Sequence, residues 1–545
     1  MATKSRLKAI DLYGGVGGWA LGLKLAGIEV VSSYDIWQPA NLTNAANLRG
    51  TVQRVDVRKL NLKDLPKGID VVVGSPPCTQ FSLSNRGGNG DMKEGLEDVA
   101  AFLRVVDHLR PKFWAMENVP RFAGVFVEAS KGRGKLAKFR HLTFDMAVFR
   151  MDEFGLPQRR QRCIVGNFDF ERLRSYKRAT EPCTLGRVIT SLGKKQPVDP
   201  VYGSLLEKAD LLDHNAEDRL SDEETRINRA AKTMHPVYNS MPFPDPLTRS
   251  ARTITATCTR VSRESIVVPA KGGGFRRLTV RERASLQGFP ATFQFYGRSH
   301  GAKMKMVGNA MPPPFARLIA EAMLGTAVSR VKSLTSAISK FCPPTERPPQ
   351  TSVDRAGRSY RKDRNFCFAI PSLRLKSGVR FELHNQAARG GNEWGLRFVF
   401  GTSKDIQHIA VGPALSSHLN GALPKPLKLR VVKAQNELRK ALRGLDLVSL
   451  QQVWNRRGEG NTHPFDLLDL LDGSGAALQQ QLASDQKLAE EIVSEVLRIQ
   501  FGKKAMMLPG RSKLLKNSVL VLSGLLVSSA AQDVLPQTTK ARAAR

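Results

Sequence analysis

From Leu7 to Ala123 short apolar runs alternate with amphipathic stretches: LKAIDLY, a glycine-rich turn, EVVSSYD, IDVVVGS, the helix-like EDVAAFLRVVDHLRP, then KFWAM. Brief apolar runs bounded by turn residues fit strands buried on both faces, and segments of helical period between them fit crossover helices. The pattern predicts an α/β fold, a doubly wound and mostly parallel sheet with helices on both sides. VFRMDEFGL and RCIVGNF, between Val148 and Phe168, are expected to add two more strands to the same sheet.

From Asp169 to Arg249 the periodicity loosens into polar, charged and proline-containing chain, with LSDEETRINRAAK as a helix and HPVYNSMPFPDPL as irregular chain. This stretch reads as a small inserted lobe. Regular patterning returns at RTITATCT and LTVRERASLQGF and closes with GNAMPPPFARLIAEAML, whose second half has helical spacing. A basic, proline-containing stretch from Ser329 to Arg364 has the composition of a linker. Beyond it FCFAIPSLRL, VRFELHN and GLRFVFG alternate as strands, followed by helical stretches near Val431 to Leu445 and Ala476 to Phe501. The expected organisation is a first core part over 1–168, an inserted region over 169–249, a closing part over 250–328, a linker over 329–364, a C-terminal α+β domain of unassigned role over 365–510, and a flexible tail over 511–545.

With 545 residues, 41% of them hydrophobic, the chain can bury more than one core. Lys and Arg outnumber Asp and Glu by 84 to 49, a formal charge of +35. That excess favours a polyanionic partner, nucleic acid first, because neutralised phosphates release counterions. The six cysteines, Cys78, Cys163, Cys183, Cys258, Cys342 and Cys367, form no CxxC pair and no zinc-spaced cluster. Neither a disulfide framework nor a metal site is expected. The N-terminal MATKSRLKAIDLY lacks a long apolar core, and the apolar run from Val519 to Val527 is too short to cross a bilayer. A soluble, cytoplasmic protein is expected.

Three groups carry candidate chemistry. The turn after the first strand runs from Asp11 through Tyr13, Gly14, Gly15, Val16, Gly17 and Gly18, and lets backbone approach a ligand beside a helix N-terminus. Asp35 ends the second strand, where a carboxylate can accept ribose hydroxyls, and Asp56 in RVDVRKL suits an exocyclic amine. Together these point to an adenosine-type cofactor. Next comes Gly74-Ser75-Pro76-Pro77-Cys78 directly after IDVVV, with two prolines holding a thiol at the sheet edge where α/β folds place ligands. Glu117-Asn118-Val119-Pro120 follows KFWAM and should reach the same edge. Finally, Arg160 and Arg162 in QRRQR share a face at period two and offer guanidinium groups to a phosphate or a base carbonyl.

With DLYGGVGG, PPC, ENV, QRRQR, RTITA and GNAMPPP in this order, residues 7 to about 326 resemble the cytosine-5 DNA methyltransferase family of bacterial or phage type. The resemblance implies the S-adenosylmethionine-dependent methyltransferase fold, methyl transfer to C5 of cytosine in duplex DNA, and no metal. It assigns Cys78 as the nucleophile that adds to C6 and Glu117 as the acid that protonates N3, with Asn118 orienting it. Arg160 and Arg162 would contact the cytosine carbonyl and the adduct. Asp11, Tyr13 through Gly18, Asp35, Asp56, Pro76, Leu96 and Asn309 would line the cofactor site. The target base must be flipped out of the duplex. Target choice would lie in 169–249. The sequence departs from the family pattern at Thr79-Gln80, where the family has Gln directly after the cysteine, and at Lys93 and Glu94. The resemblance also implies a place in a restriction-modification system and a monomer that meets the nucleoid when bound to DNA. Three other readings remain open at this point: fusion with a restriction nuclease, tRNA cytosine-5 methylation, and an inactive DNA-binding protein.

Overall fold

The computed structural model describes residues 6–77, 81, 92–177, 183–207, 211, 217–233, 240–339, 341–352, 362–375, 378–402, 405–455 and 462–535. Its contacts divide the chain into two units, 1–220 with 244–354, and 221–243 with 355–545.

The first unit is built on seven strands: β1 (Lys8–Leu12), β2 (Glu29–Asp35), β3 (Thr51–Arg54), β4 (Val71–Gly74), β5 (Phe113–Asn118), β6 (Asp145–Arg150) and β7 (Gln161–Gly166). They lie in the order β3-β2-β1-β4-β5-β7-β6, with β7 antiparallel to both neighbours and the other pairs parallel. The apolar runs explain this burial. Ile10, Leu12 and Val72 enter one core with Phe102, Trp114 and Phe122. Ala9, Val71 and Val73 enter the opposite one with Trp19, Phe149 and Phe315. The sheet is therefore covered on both faces, as expected.

The chain runs outward from β1 to β2 and β3, then returns to the other side of β1 at β4. Such a reversal leaves a crevice at the carboxyl ends of the two central strands. The helix Gly18–Leu25 begins at this crevice and packs against the helix Pro313–Met323. A Cβ on Gly18 would lie 2.0 Å from the Met311 carbonyl oxygen, so only glycine lets the two segments meet. The closing part of the sequence thus returns to cover the first turn.

One strand expectation changes. VFRMDEFGL is extended only to Arg150 and then turns through the short helix Met151–Phe154. RTITATCT, where regular patterning returns, forms no strand, and Ala251 just before it fastens to the segment before β7. Ala251 N–H donates to Pro157 O at 3.0 Å, and Arg159 N–H donates to Ala251 O at 2.9 Å. A short hairpin, β8 (Val267–Pro269) with β9 (Phe275–Arg277), lies in the same unit.

In the second unit β10 (Cys367–Arg374), β11 (Arg380–Gln386), β12 (Gly391–Thr402) and β13 (Asp405–Ile409) form an antiparallel sheet in sequence order. Phe366, Phe368, Trp454 and Phe465 cluster beside it. The helix Asp222–Thr233, from the stretch read as an inserted lobe, belongs to this unit. The expected flexible tail is corrected over 511–535: Ser518–Gln532 is a helix, and Leu522, Leu525, Leu526 and Val527 on it are each 0% exposed, while 536–545 lies outside the described residues. Its small residues serve packing, since a Cβ on Gly524 would lie 2.1 Å from the Phe381 ring. Among the described residues no helix is long and apolar enough to cross a membrane.

Candidate active site

At the end of β1 the backbone turns sharply: Tyr13 has φ 53°, Gly15 52° and Gly17 88°. Left-handed values at successive odd positions bend the chain away from the sheet, which glycine does without strain. Tyr13, Gly14, Gly15 and Val16 line a cavity of about 440 Å³. That volume lies within the range of small-molecule sites. Gly17 and Gly18 do not line it. Gly17 caps the following helix and Gly18 serves the packing already described.

Asp35, at the end of β2, faces the cavity and accepts from Gly15 N–H at 2.9 Å and Trp37 N–H at 2.8 Å. Burial raises its carboxyl above the ordinary value, against those same N–H groups, which lower it. Lys305 Nζ lies 4.8 Å from the centre of the Trp37 ring at the cavity wall. Asp11 sits beneath the turn, 0% exposed. Burial first, then the nearby Asp35, push its carboxyl well above the usual range, opposed by Ala20 N–H.

Asp56 also lines the cavity, and its carboxylate accepts from Arg58 N–H at 3.0 Å and Arg58 Nε at 3.2 Å. Partial burial opposes the shift, but the Arg58 bonds and charge hold this carboxyl below its usual value. Arg58 reaches Asp98 at 3.6 Å, and Asp98 accepts from the Tyr13 hydroxyl at 3.1 Å. Burial raises Asp98, with Tyr13 opposing. Asp98 and Arg58 line the cavity, whereas Leu96, the residue expected there from the same helix, packs into the core. Asn309 reaches the cavity from the end of the helix His300–Asn309.

The reactive edge is built by β4 and β5. Pro76, Pro77 and Glu117 line the cavity. Cys78 lies outside the described residues. Asn118 Nδ2 donates to Pro76 O at 3.2 Å, fastening the Pro-Pro segment to β5. Its Oδ1 accepts from Val119 N–H at 2.9 Å, so its recorded bonds shape the two loops. Arg162 Nε lies 2.6 Å from Glu117 Oε1, and Arg160 approaches the same oxygen at 4.0 Å. Arg160 is 1% exposed and donates to the carbonyls of Ile254, Gly308 and Ala310 at 3.3 to 3.4 Å. Buried Gln158 accepts from Ile254 N–H at 2.7 Å and donates to Leu286 O at 3.1 Å.

Sequence reasoning missed Trp37, Arg58, Asp98, Gln158 and Lys305. Trp37 carried a signal, an aromatic ring just past a strand-end acid. Asp98, Gln158 and Lys305 become visible only when distant segments meet.

The strand order, with a glycine turn and two strand-end carboxylates around a cavity at the switch point, defines an S-adenosylmethionine-dependent methyltransferase fold. A family model described as C-5 cytosine-specific DNA methylase matches residues 7–325, and the chain belongs to that family. Among its relatives, the Type II methyltransferase M.AplI of Arthrospira platensis is 27% identical over 349 residues, covering 62% of this chain and 91% of that protein. M1.HphI of Haemophilus parahaemolyticus is 30% identical over 335 residues, 58% of this chain and 87% of that one. M.SsoII of Shigella sonnei is 28% identical over 335 residues, 59% of this chain and 81% of that one.

Proposed function

We propose that the chain methylates C5 of cytosine within a specific duplex DNA sequence, with S-adenosylmethionine as donor and Cys78 as covalent nucleophile. The observation that carries this reading is the meeting of Pro76, Pro77 and Glu117 with the Asp35 and Asp56 carboxylates around one cavity. The cavity suits an adenosine-type group, because Asp35 stands at the mouth of the glycine turn and Trp37 offers an apolar ring beside it. When bound, S-adenosylmethionine supplies an electrophilic methyl group.

C5 of cytosine is a poor nucleophile until the ring is activated. The Cys78 thiolate forms a bond to C6 while the Glu117 carboxyl gives its proton to N3, which makes C5 an enamine carbon. C5 takes the methyl group and then loses its proton to solvent. The Cys78–C6 bond breaks and Glu117 recovers the proton from N3. Arg162 and Arg160 hold Glu117 at the cavity wall, and Asn118 sets the height of the Pro-Pro segment that precedes Cys78. A stacked base cannot reach this edge, so the target cytosine leaves the helix, at a cost of about a few kcal/mol in unstacking.

Cys78→Ser is expected to abolish methyl transfer while the protein still binds S-adenosylmethionine, measured by labelled methyl incorporation and by calorimetry. Ordinary turnover by that variant would sink the covalent step. Expression in cells lacking 5-methylcytosine, followed by bisulfite sequencing, is expected to reveal one recurrent sequence context. New methylation confined to RNA would refute the choice of DNA.

A further inference from the structure

The helix Lys425–Arg443 of the second unit divides sharply into two faces. Leu427, Val431, Gln435, Leu438 and Leu442 are buried. They pack toward the helices Pro464–Leu482 and Ser518–Gln532, and Gln435 Nε2 donates to Leu526 O at 3.1 Å. On the other side Lys425, Lys428, Arg430, Lys433, Lys440 and Arg443 are exposed. Among the described residues none of these six cations forms an ion pair. Arg439, which reaches toward the neighbouring helix, pairs with Asp533 at 2.9 Å. The unpaired cations are therefore those that face outward.

Lys425, Lys433, Lys440 and Arg443 fall in one row at helical spacing, about 27 Å long at 1.5 Å per residue. Leu429 in the same row is 74% exposed. The last-turn cations Lys440 and Arg443 suit a helix C-terminus, but the cations of the first turn do not suit its N-terminus. A helix N-terminus prefers acids, yet the first turn has none and carries Lys425 and Lys428. Lys425 with Lys428, and Lys440 with Arg443, are like-charge pairs one turn apart, which repel. A polyanion lying along the row would remove both penalties.

We propose that this face binds the phosphates of duplex DNA, adding affinity that is independent of sequence. The proposal rests on the reading of DNA as substrate and extends it to a helix beyond residue 325, where the family match ends. Lysine contacts to phosphate position a duplex without reading bases. An anionic membrane is the other surface a basic amphipathic helix can meet, but that mode inserts the apolar face, and here the apolar face is buried.

The full-length chain and a K425Q/K433Q/K440Q/R443Q variant are to be titrated with a labelled duplex of arbitrary sequence across a KCl series. The variant is expected to bind about tenfold or more weakly, with the slope of log affinity against log salt reduced by about 3 to 4, near 0.9 for each lost contact. A K425R/K433R/K440R variant is expected to keep both affinity and slope. Wild-type affinity and slope in the glutamine variant would overturn the proposal. So would unchanged duplex binding together with lost binding to phosphatidylglycerol vesicles. A wild-type chain that neither binds duplex nor methylates it would overturn the reading of the substrate as well. A wild-type chain that does both, matched by the glutamine variant, overturns this proposal alone.

Discussion

Burial of Asp11 beneath the glycine turn, with Asp35 as its charged neighbour, makes the ionised form of this carboxyl costly in the folded chain. A carboxyl raised in the native state holds its proton more tightly there than in the unfolded chain. Its stabilisation is fully present below the unfolded value, near pH 4, and is lost as pH rises through the native value. Asparagine has the same shape and cannot ionise. Asp11→Asn is therefore expected to gain thermal stability over the native protein as pH rises from about 4 towards neutrality and beyond. Melting curves across that range check it; an advantage that does not change with pH would contradict the account. Arg160 and Arg162 separate in a similar way. Arg160 is spent on three backbone carbonyls and ties the segments around Ile254 and Gly308 to β7, whereas Arg162 makes the close pair with Glu117. Period two placed both at one edge, but only the closing segment reveals that one of them is a strut.

Among elements, the contact between the helices Gly18–Leu25 and Pro313–Met323 depends on absent side chains. Gly18→Ala would drive a methyl group to 2.0 Å from the Met311 carbonyl, and that oxygen belongs to backbone. Gly15→Ala meets nothing within 4 Å, although φ of 52° strains any side chain there. In urea unfolding Gly18→Ala is expected to cost about 3 kcal/mol, as overpacking does. Gly15→Ala is expected to cost about 1 kcal/mol. Equal losses would mean that the helix pair yields more freely than its geometry implies. The same contrast explains what the sequence makes legible. β1, β4 and β5 are largely apolar runs buried on both faces, so composition and length reveal them. β3, reading TVQR, lies exposed at the sheet edge and carries almost no apolar signal. RTITATCT alternates in polarity, but its backbone at Ile254 bonds to the side chains of Gln158 and Arg160 across a gap in sequence. Ser518–Gln532 looked like a tail because its buried face is made of Ser, Gly and Ala beside Leu and Val, a composition shared by close helix packing and by loose chain. In the site, the strand-end residues Asp35, Asp56, Glu117 and Pro76 were legible from their positions. Asp98 was not, since its partners Tyr13 and Arg58 lie far along the chain.

For the molecule as a whole, residues 221–243 group with the second unit although the chain on either side of them groups with the first. The helix Asp222–Thr233 buries Ile227 and Ala230 at 2% and 1% exposure. Arg226 lies over the Phe465 ring at 4.9 Å and pairs with Asp466 at 3.3 Å, and Arg374 donates to Thr233 O at 2.8 Å. Every one of those partners lies beyond residue 354. The resemblance gives target choice to the region that contains this helix, so the second unit would hold part of what selects the cytosine. A chain ended at residue 354 would leave the helix with an exposed apolar face, and a helix of 12 residues is marginal in water without packing. Trypsin is expected to cut the shortened chain at Arg226, Arg229 or Lys232 well before it cuts the full-length chain there. Bisulfite mapping of the shortened enzyme is expected to give weaker or less selective methylation. If both chains resist trypsin equally within 221–243 and methylate the same sites to the same extent, the second unit neither shapes this helix nor takes part in selecting the target.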